Sequence, residues 1–116
     1  MKKAITITAC CFLMAHAFAQ SGKLDSLLIT LPQTSGEDRI TLLHEIVKAA
    51  WTTSPDSVVS YARESVRLSA ALADARLLST SYRLLGGLFN YMSEIDSGKV
   101  YKLKALQIAL QIQDSI

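Results

Sequence analysis

From residue 20 onward, apolar side chains return at every third or fourth position, the spacing that lines one face of an α-helix and not the alternation of a strand. Leu24, Leu27, Leu28 and Leu31 form the first such face, and Pro32 ends it. Pro32 to Gly36 reads as a linker. A second helix is expected after Ser35, with Asp38 as its capping partner three residues on. Its apolar positions are Ile40, Leu43, Val47 and Ala50, with Leu42, Ile46 and Ala49 beside them. Thr52-Thr53-Ser54-Pro55 stops it; Ser54 suits an N-cap, and Pro55 suits the first helical position, where a missing N–H costs nothing. The third helix is expected to run to about Ala73, lined by Val58, Ala62, Ser65, Val66, Ser69 and Leu72. Asp74 breaks it and caps a fourth helix carrying Leu77, Ser81, Leu84, Leu85, Leu88 and Met92. Ser93 to Asp96 makes the last turn, and Tyr101, Ala105, Ile108 and Ile112 carry a fifth helix to the end. The pattern therefore predicts an all-α fold of antiparallel helix pairs.

The first residues follow a different rule. Lys2 and Lys3 precede an uncharged, mostly apolar run from Ala4 to Ala15, and Ala17-Phe18-Ala19 places small residues where a signal peptidase reads them. This is the layout of a secretory leader cleaved after Ala19, and it predicts export to the periplasm. The run is shorter than the roughly 20 residues a membrane-spanning helix needs. Ile7-Thr8-Ala9-Cys10 also fits a lipobox loosely, which leaves lipidation of Cys10 as an alternative. Residues 1–19 are thus assigned to the leader, 20–36 to a capping helix and linker, and 37–116 to the helical body, divided at about 37–74 and 75–116.

Loss of the leader changes the charge and the available chemistry. The full sequence has twelve basic and ten acidic residues, and two of the basic ones are Lys2 and Lys3. The mature chain is therefore close to neutral, which argues against nucleic acid or an anionic membrane as partner. Cys10 and Cys11 are the only cysteines, so the mature chain has no disulfide, thiol nucleophile or thiolate ligand. His44 is then the single histidine, and with neither Cys nor a second His beside it no transition-metal site is expected. The acid pairs Glu37 with Asp38 and Glu94 with Asp96 stand at helix starts, where carboxylates favour the positive end of the helix dipole. No serine sits in a Gly-x-Ser-x-Gly turn, and Gly86-Gly87 lacks the Lys-Ser/Thr of a phosphate loop. Lys99, Lys102 and Lys104 read as the solvated side of the last helix. These readings predict no enzyme activity and no cofactor.

The chain also repeats itself with a period of 40 residues. Asp56-Ser57 recurs as Asp96-Ser97, Tyr61 as Tyr101 and Asp74 as Asp114, while Ser65, Val66, Leu68 and Leu72 match Ala105, Leu106, Ile108 and Ile112. Tyr82, Leu85-Gly86, Phe89, Tyr101 and Ala105-Leu106 follow one another in the order and spacing of the tetratricopeptide repeat, which these residues resemble. Leu42-Leu43-His44-Glu45-Ile46, Ser54-Pro55-Asp56-Ser57 and Tyr61-Ala62-Arg63-Glu64-Ser65 look like the unit before it. The resemblance covers roughly residues 37–116, and its flavour is similar to the amino-terminal repeats of secreted or periplasmic proteins of Bacteroidetes-type bacteria. The second unit departs from the pattern: Gly98 stands where the family prefers Ala, Lys102 where it prefers an apolar or aromatic residue, and Ser93 where Gly is common.

The resemblance implies a short right-handed solenoid whose inner helices line a groove for a protein or peptide. Carried over by register, the groove positions are Leu43, Val47, Ala50 and Trp51 in the first unit and Thr80, Arg83, Asn90 and Tyr91 in the second. The alternative implied by the same relatives is the sensory amino-terminal part of a two-component histidine kinase or transcriptional regulator. Glycine in mid-helix costs about 1 kcal/mol against Ala, so Gly86 and Gly87 predict the close approach of a neighbouring helix, or else a kink. Leu106, Leu110 and Ile116 are expected to lack a cover, by truncation of a longer chain first, or else by self-association or a partner.

Overall fold

In the computed structural model, residues 22–114 are described, and every regular element among them is helical. Helix α1 covers 22–30 and passes into a 3-10 turn, Leu31–Gln33, at Pro32. Helices α2 (Gly36–Ala50), α3 (Pro55–Ala71), α4 (Ala75–Tyr91) and α5 (Ile95–Asp114) follow, joined by short turns. The leader assignment and Ile116 fall outside the described residues.

Short connections return each helix against the one before it. Helix α2 packs on α3, α3 on α4 and α4 on α5; α2 also touches α4. The core lies where these contacts meet. Leu43, Ile46, Val47 and Ala50 of α2, Val58 and Ala62 of α3, and Leu85, Leu88 and Phe89 of α4 are buried together with Leu31. Leu24, Leu27 and Leu28 of α1 pack against the edge of this cluster. Ile46, placed beside the main apolar stripe by periodicity, is completely enclosed.

The helix ends match the sequence unevenly. Asp74 caps α4 through its side chain, which accepts the Leu77 N–H at 3.0 Å, a bond worth about 1 kcal/mol. Ser35 and Ser54 occupy the N-cap positions of α2 and α3, but neither side chain makes a capping bond. At α3 the backbone takes over: the Ser54 carbonyl accepts from the N–H groups of Ser57 and Val58 at 3.1 and 3.3 Å. Helix α3 stops at Ala71, short of Ala73, because Ala73 turns left-handed at φ 54°. Ser93 does the same after α4, at φ 66°. Each turn closes with an N–H donating five residues back, Asp74 to the Ser69 carbonyl at 3.2 Å and Glu94 to the Phe89 carbonyl at 2.8 Å. The last turn is consequently shorter than Ser93 to Asp96, since α5 already begins at Ile95.

Two polar devices fix the helices. Arg39 of α2 reaches Glu64 of α3 at 2.9 Å and donates to the Leu31 carbonyl at 2.7 Å, which ties the 3-10 turn to both helices. Inside the core runs a line of buried polar groups. His44 Nε2 lies 2.7 Å from Ser81 Oγ, and Ser81 Oγ lies 3.2 Å from Ser69 Oγ. The Ser69 hydroxyl donates to the Ser65 carbonyl at 2.7 Å, and that of Ser65 to the Ala62 carbonyl at 2.6 Å. With Ser81 donating to the Leu77 carbonyl at 2.9 Å, the ring N–H at Nε2 donates to Ser81. Small hydroxyls satisfied in this way let α2, α3 and α4 approach one another without orphaned polar atoms.

Candidate functional site

A concavity of about 480 Å³ opens between α2, α4 and α5. Its floor and walls come from helical repeats of one face. Val47 and Lys48 lie on the last turn of α2 and Trp51 directly after it, Arg83, Leu84, Gly87 and Leu88 form a stripe on α4, and Lys102 lines the concavity from α5. The spacing i, i+4 puts Val47 above Trp51, Arg83 above Gly87 and Leu84 above Leu88. The floor is therefore apolar and the rim cationic.

Trp51 is 38% exposed and forms the aromatic wall. Tyr91 supports it from the end of α4, with ring centroids 5.0 Å apart and planes tilted by 59°, a favourable aromatic arrangement. The Tyr91 hydroxyl donates to the Thr52 carbonyl at 3.1 Å, fastening the α2–α3 turn that carries Trp51. The two aromatics that align across the repeat thus touch one another.

Gly86 and Gly87 do separate things. A Cβ on Gly86 would lie 2.9 Å from Lys102 Cγ and 3.0 Å from the Gly98 carbonyl oxygen, so Gly86 sets the approach of α5. The glycine of α5 at the same crossing is Gly98, where a Cβ would collide with Asn90 Oδ1. This contact explains the departure from Ala at position 98. A Cβ on Gly87 would meet nothing within 4 Å, so Gly87 keeps the concavity open. The close crossing at Gly86 also lays the stem of Lys102 against α4, where Lys102 lines the concavity.

The cations of the rim are not all paired alike. Lys48 faces Glu45 at 3.6 Å in an exposed pair. Neither Arg83 nor Lys102 has an ion pair among the described residues. By contrast, Arg39 and Arg67 share Glu64, Arg63 lies over the Phe89 ring at 5.5 Å, and Lys104 lies over Tyr82 and Tyr101 at 5.5 Å. Among the described residues no carboxylate lines the concavity. Burial is the main cause that lowers the His44 pKa below its ordinary value, and the charges of Lys48 and Arg83 lower it further against a smaller opposing effect of Glu45.

The expected groove residues are divided by the structure. Val47, Trp51 and Arg83 line the concavity together, and Tyr91 stands directly behind Trp51. Leu43 is fully enclosed in the core and presents no surface, because the open part of α2 is confined to its last turns. Ala50 is likewise buried. Thr80 turns its hydroxyl to the Arg76 carbonyl at 3.2 Å, away from the concavity. Asn90 faces α5, its Oδ1 buried near Gly98 without a hydrogen-bond partner. Lys48, Leu84, Gly87, Leu88 and Lys102 were not on the expected list. The signal for Lys102 was in the sequence, as a charge where the resemblance leads to an apolar or aromatic residue; its placement depended on the helix crossing.

His44 and Ser81 have the separation of a base and a nucleophile, but Ser81 is fully enclosed and its hydroxyl is engaged by Leu77. No reacting atom has a place beside it, so the pair serves packing. Among the described residues no three His, Cys, Asp or Glu side chains come together as metal ligands. No described helix is long and apolar enough to cross a membrane. Comparison of the chain with protein-family models, curated proteins and solved structures gives no match.

Proposed function

We propose that this chain is an exported, non-catalytic binding module of the tetratricopeptide kind, whose concave side holds a protein or peptide segment. The observation that carries the reading is the concavity itself. It has an apolar floor and an aromatic wall, it is formed by α2, α4 and α5, and Trp51 is held open to solvent by Tyr91 and not folded into the core. Large aromatics placed at a concave surface are favoured binding anchors. The matching faces of α3 and α5, with Tyr61 and Tyr101 and then Ser65 and Ala105 at equal registers, support a repeat origin. The leader-like first residues support an envelope location.

Selection of peptides from a random displayed library on the purified chain tests this reading. Selected peptides are expected to lose at least about tenfold in affinity with Trp51→Ala, the loss of one aromatic anchor of roughly 1.4 kcal/mol or more, while thermal unfolding of the variant stays cooperative. Equal binding to the variant would remove the concavity from the function.

A further inference from the structure

We infer that the concavity recognises an acidic peptide segment, specifically a side-chain carboxylate next to an apolar side chain. The inference rests on the binding-module reading and adds the chemistry of the ligand. Lys48, Arg83 and Lys102 come from three different helices and converge on one opening. The mature chain is close to neutral, so this concentration of charge is local and does not follow from composition. Arg83 and Lys102 have no ion pair or ring contact among the described residues, and unlike Lys23, Arg76 and Lys99 they line one concavity together. An arginine and a lysine that line one concavity match a carboxylate, which can accept charge-assisted bonds from both. The floor below is apolar, and Gly87 leaves room over Leu84 and Leu88 for an aliphatic or aromatic side chain against Trp51. The volume is of the size that encloses side chains rather than a folded domain. An extended segment with alternating acidic and apolar residues would place its carboxylates at the rim and its apolar groups on the floor.

Trp51 is the single tryptophan of the sequence, so its fluorescence reports directly on this site. The probes are a capped, amidated octapeptide of alternating Asp and Leu, its Asn/Leu counterpart and its Lys/Leu counterpart, titrated into the full chain at low salt. The acidic peptide is expected to bind at least about tenfold more tightly than the neutral one, and the preference should shrink as salt screens the charges. The double variant Arg83→Gln with Lys102→Gln should erase the preference and keep the weak binding of the neutral peptide. Arg83 and Lys102 are exposed and Gln retains part of the Lys102 stem over Gly86, so cooperative unfolding should persist. A preference that survives in the double variant overturns the inference, as does a single-stranded thymidine octamer that binds as tightly as the acidic peptide. Equal binding of acidic and neutral peptides, lost in Trp51→Ala, sinks the charge preference and leaves the binding module standing. No binding by any peptide sinks both.

Discussion

Helices α3 and α5 stand 40 residues apart in register and use the same face for packing, yet they meet different surroundings. Val58 and Gly98 are buried at one shared position, Ser65 and Ala105 at the next, with Tyr61 and Tyr101 half-buried between them. Helix α3 is gripped on two sides, by α2 and α4, while among the described residues α5 packs on α4 alone. Ala62 and Ser69 of α3 are accordingly enclosed, and their counterparts Lys102 and Ala109 are exposed. The means of approach differ as well. Against α4, α3 brings small hydroxyls that join the line to His44. Helix α5 brings Gly98 against Gly86, stacks Tyr101 between Tyr82 and Phe89, and receives the Ser79 hydroxyl on its Ala105 carbonyl at 2.9 Å. The lesson is that a repeat specifies a face, and the neighbour decides what the face becomes. Where α5 has no neighbour, Leu103, Leu106 and Leu110 remain half or more exposed opposite its packed side.

The sharpest way to break this comparison is a pair of substitutions at one register position. Ser69→Leu forces a large side chain into the closed space between α3 and α4; a loss of about 3 kcal/mol is expected from overpacking. Ala109→Leu, at the equivalent exposed position, should shift stability by no more than about 0.5 kcal/mol. Urea unfolding midpoints compare the two directly, and equal losses would mean that α5 is covered as α3 is.

A second pair tests the glycine crossing. Gly98→Ala collides with Asn90 and crowds the Gly86 carbonyl, for an expected loss of about 2 kcal/mol. Gly87→Ala points into open space and should gain about 0.5–1 kcal/mol from helix propensity. Thermal melts of both variants settle the assignment, and a stabilising Gly98→Ala would remove the close contact from the account.

The smallest effect concerns pH and belongs to the α3 side alone. His44 has a folded pKa below its unfolded value of about 6.5, so unfolding takes up a proton between the two values. Stability is full above that window and declines as pH falls from about 6.5 towards the folded pKa. His44→Gln should flatten this slope in melts recorded between about pH 7 and pH 5. A slope unchanged in the variant would show that the buried imidazole is not its source.

Much of the fold was legible because its signals are local. Pro32 and Pro55 marked helix boundaries, Asp74 was a cap that formed, and the apolar spacing identified the packed faces. Ser35 and Ser54 were readable as N-cap positions, but the side-chain bonds they promised were not made, because backbone geometry rather than residue type decides where a hydroxyl points. The site was half legible. Register put Val47, Trp51, Arg83 and Tyr91 in one neighbourhood. The same register assigned Leu43 and Asn90 to the groove, though one lies under the core and the other faces α5. A position on a helix face does not specify how far along the helix that face stays open.

By itself the sequence determined the helices, their limits to within a few residues, and the sides they turn inward. These follow from periodicity and backbone chemistry within a few residues of one another. Only the tertiary structure decided that Gly86 meets Gly98 while Gly87 faces open space, and that Lys102 joins Lys48 and Arg83 at one rim. Those outcomes depend on the distance and angle between helices, which are set by the combined sizes of side chains far apart in the chain.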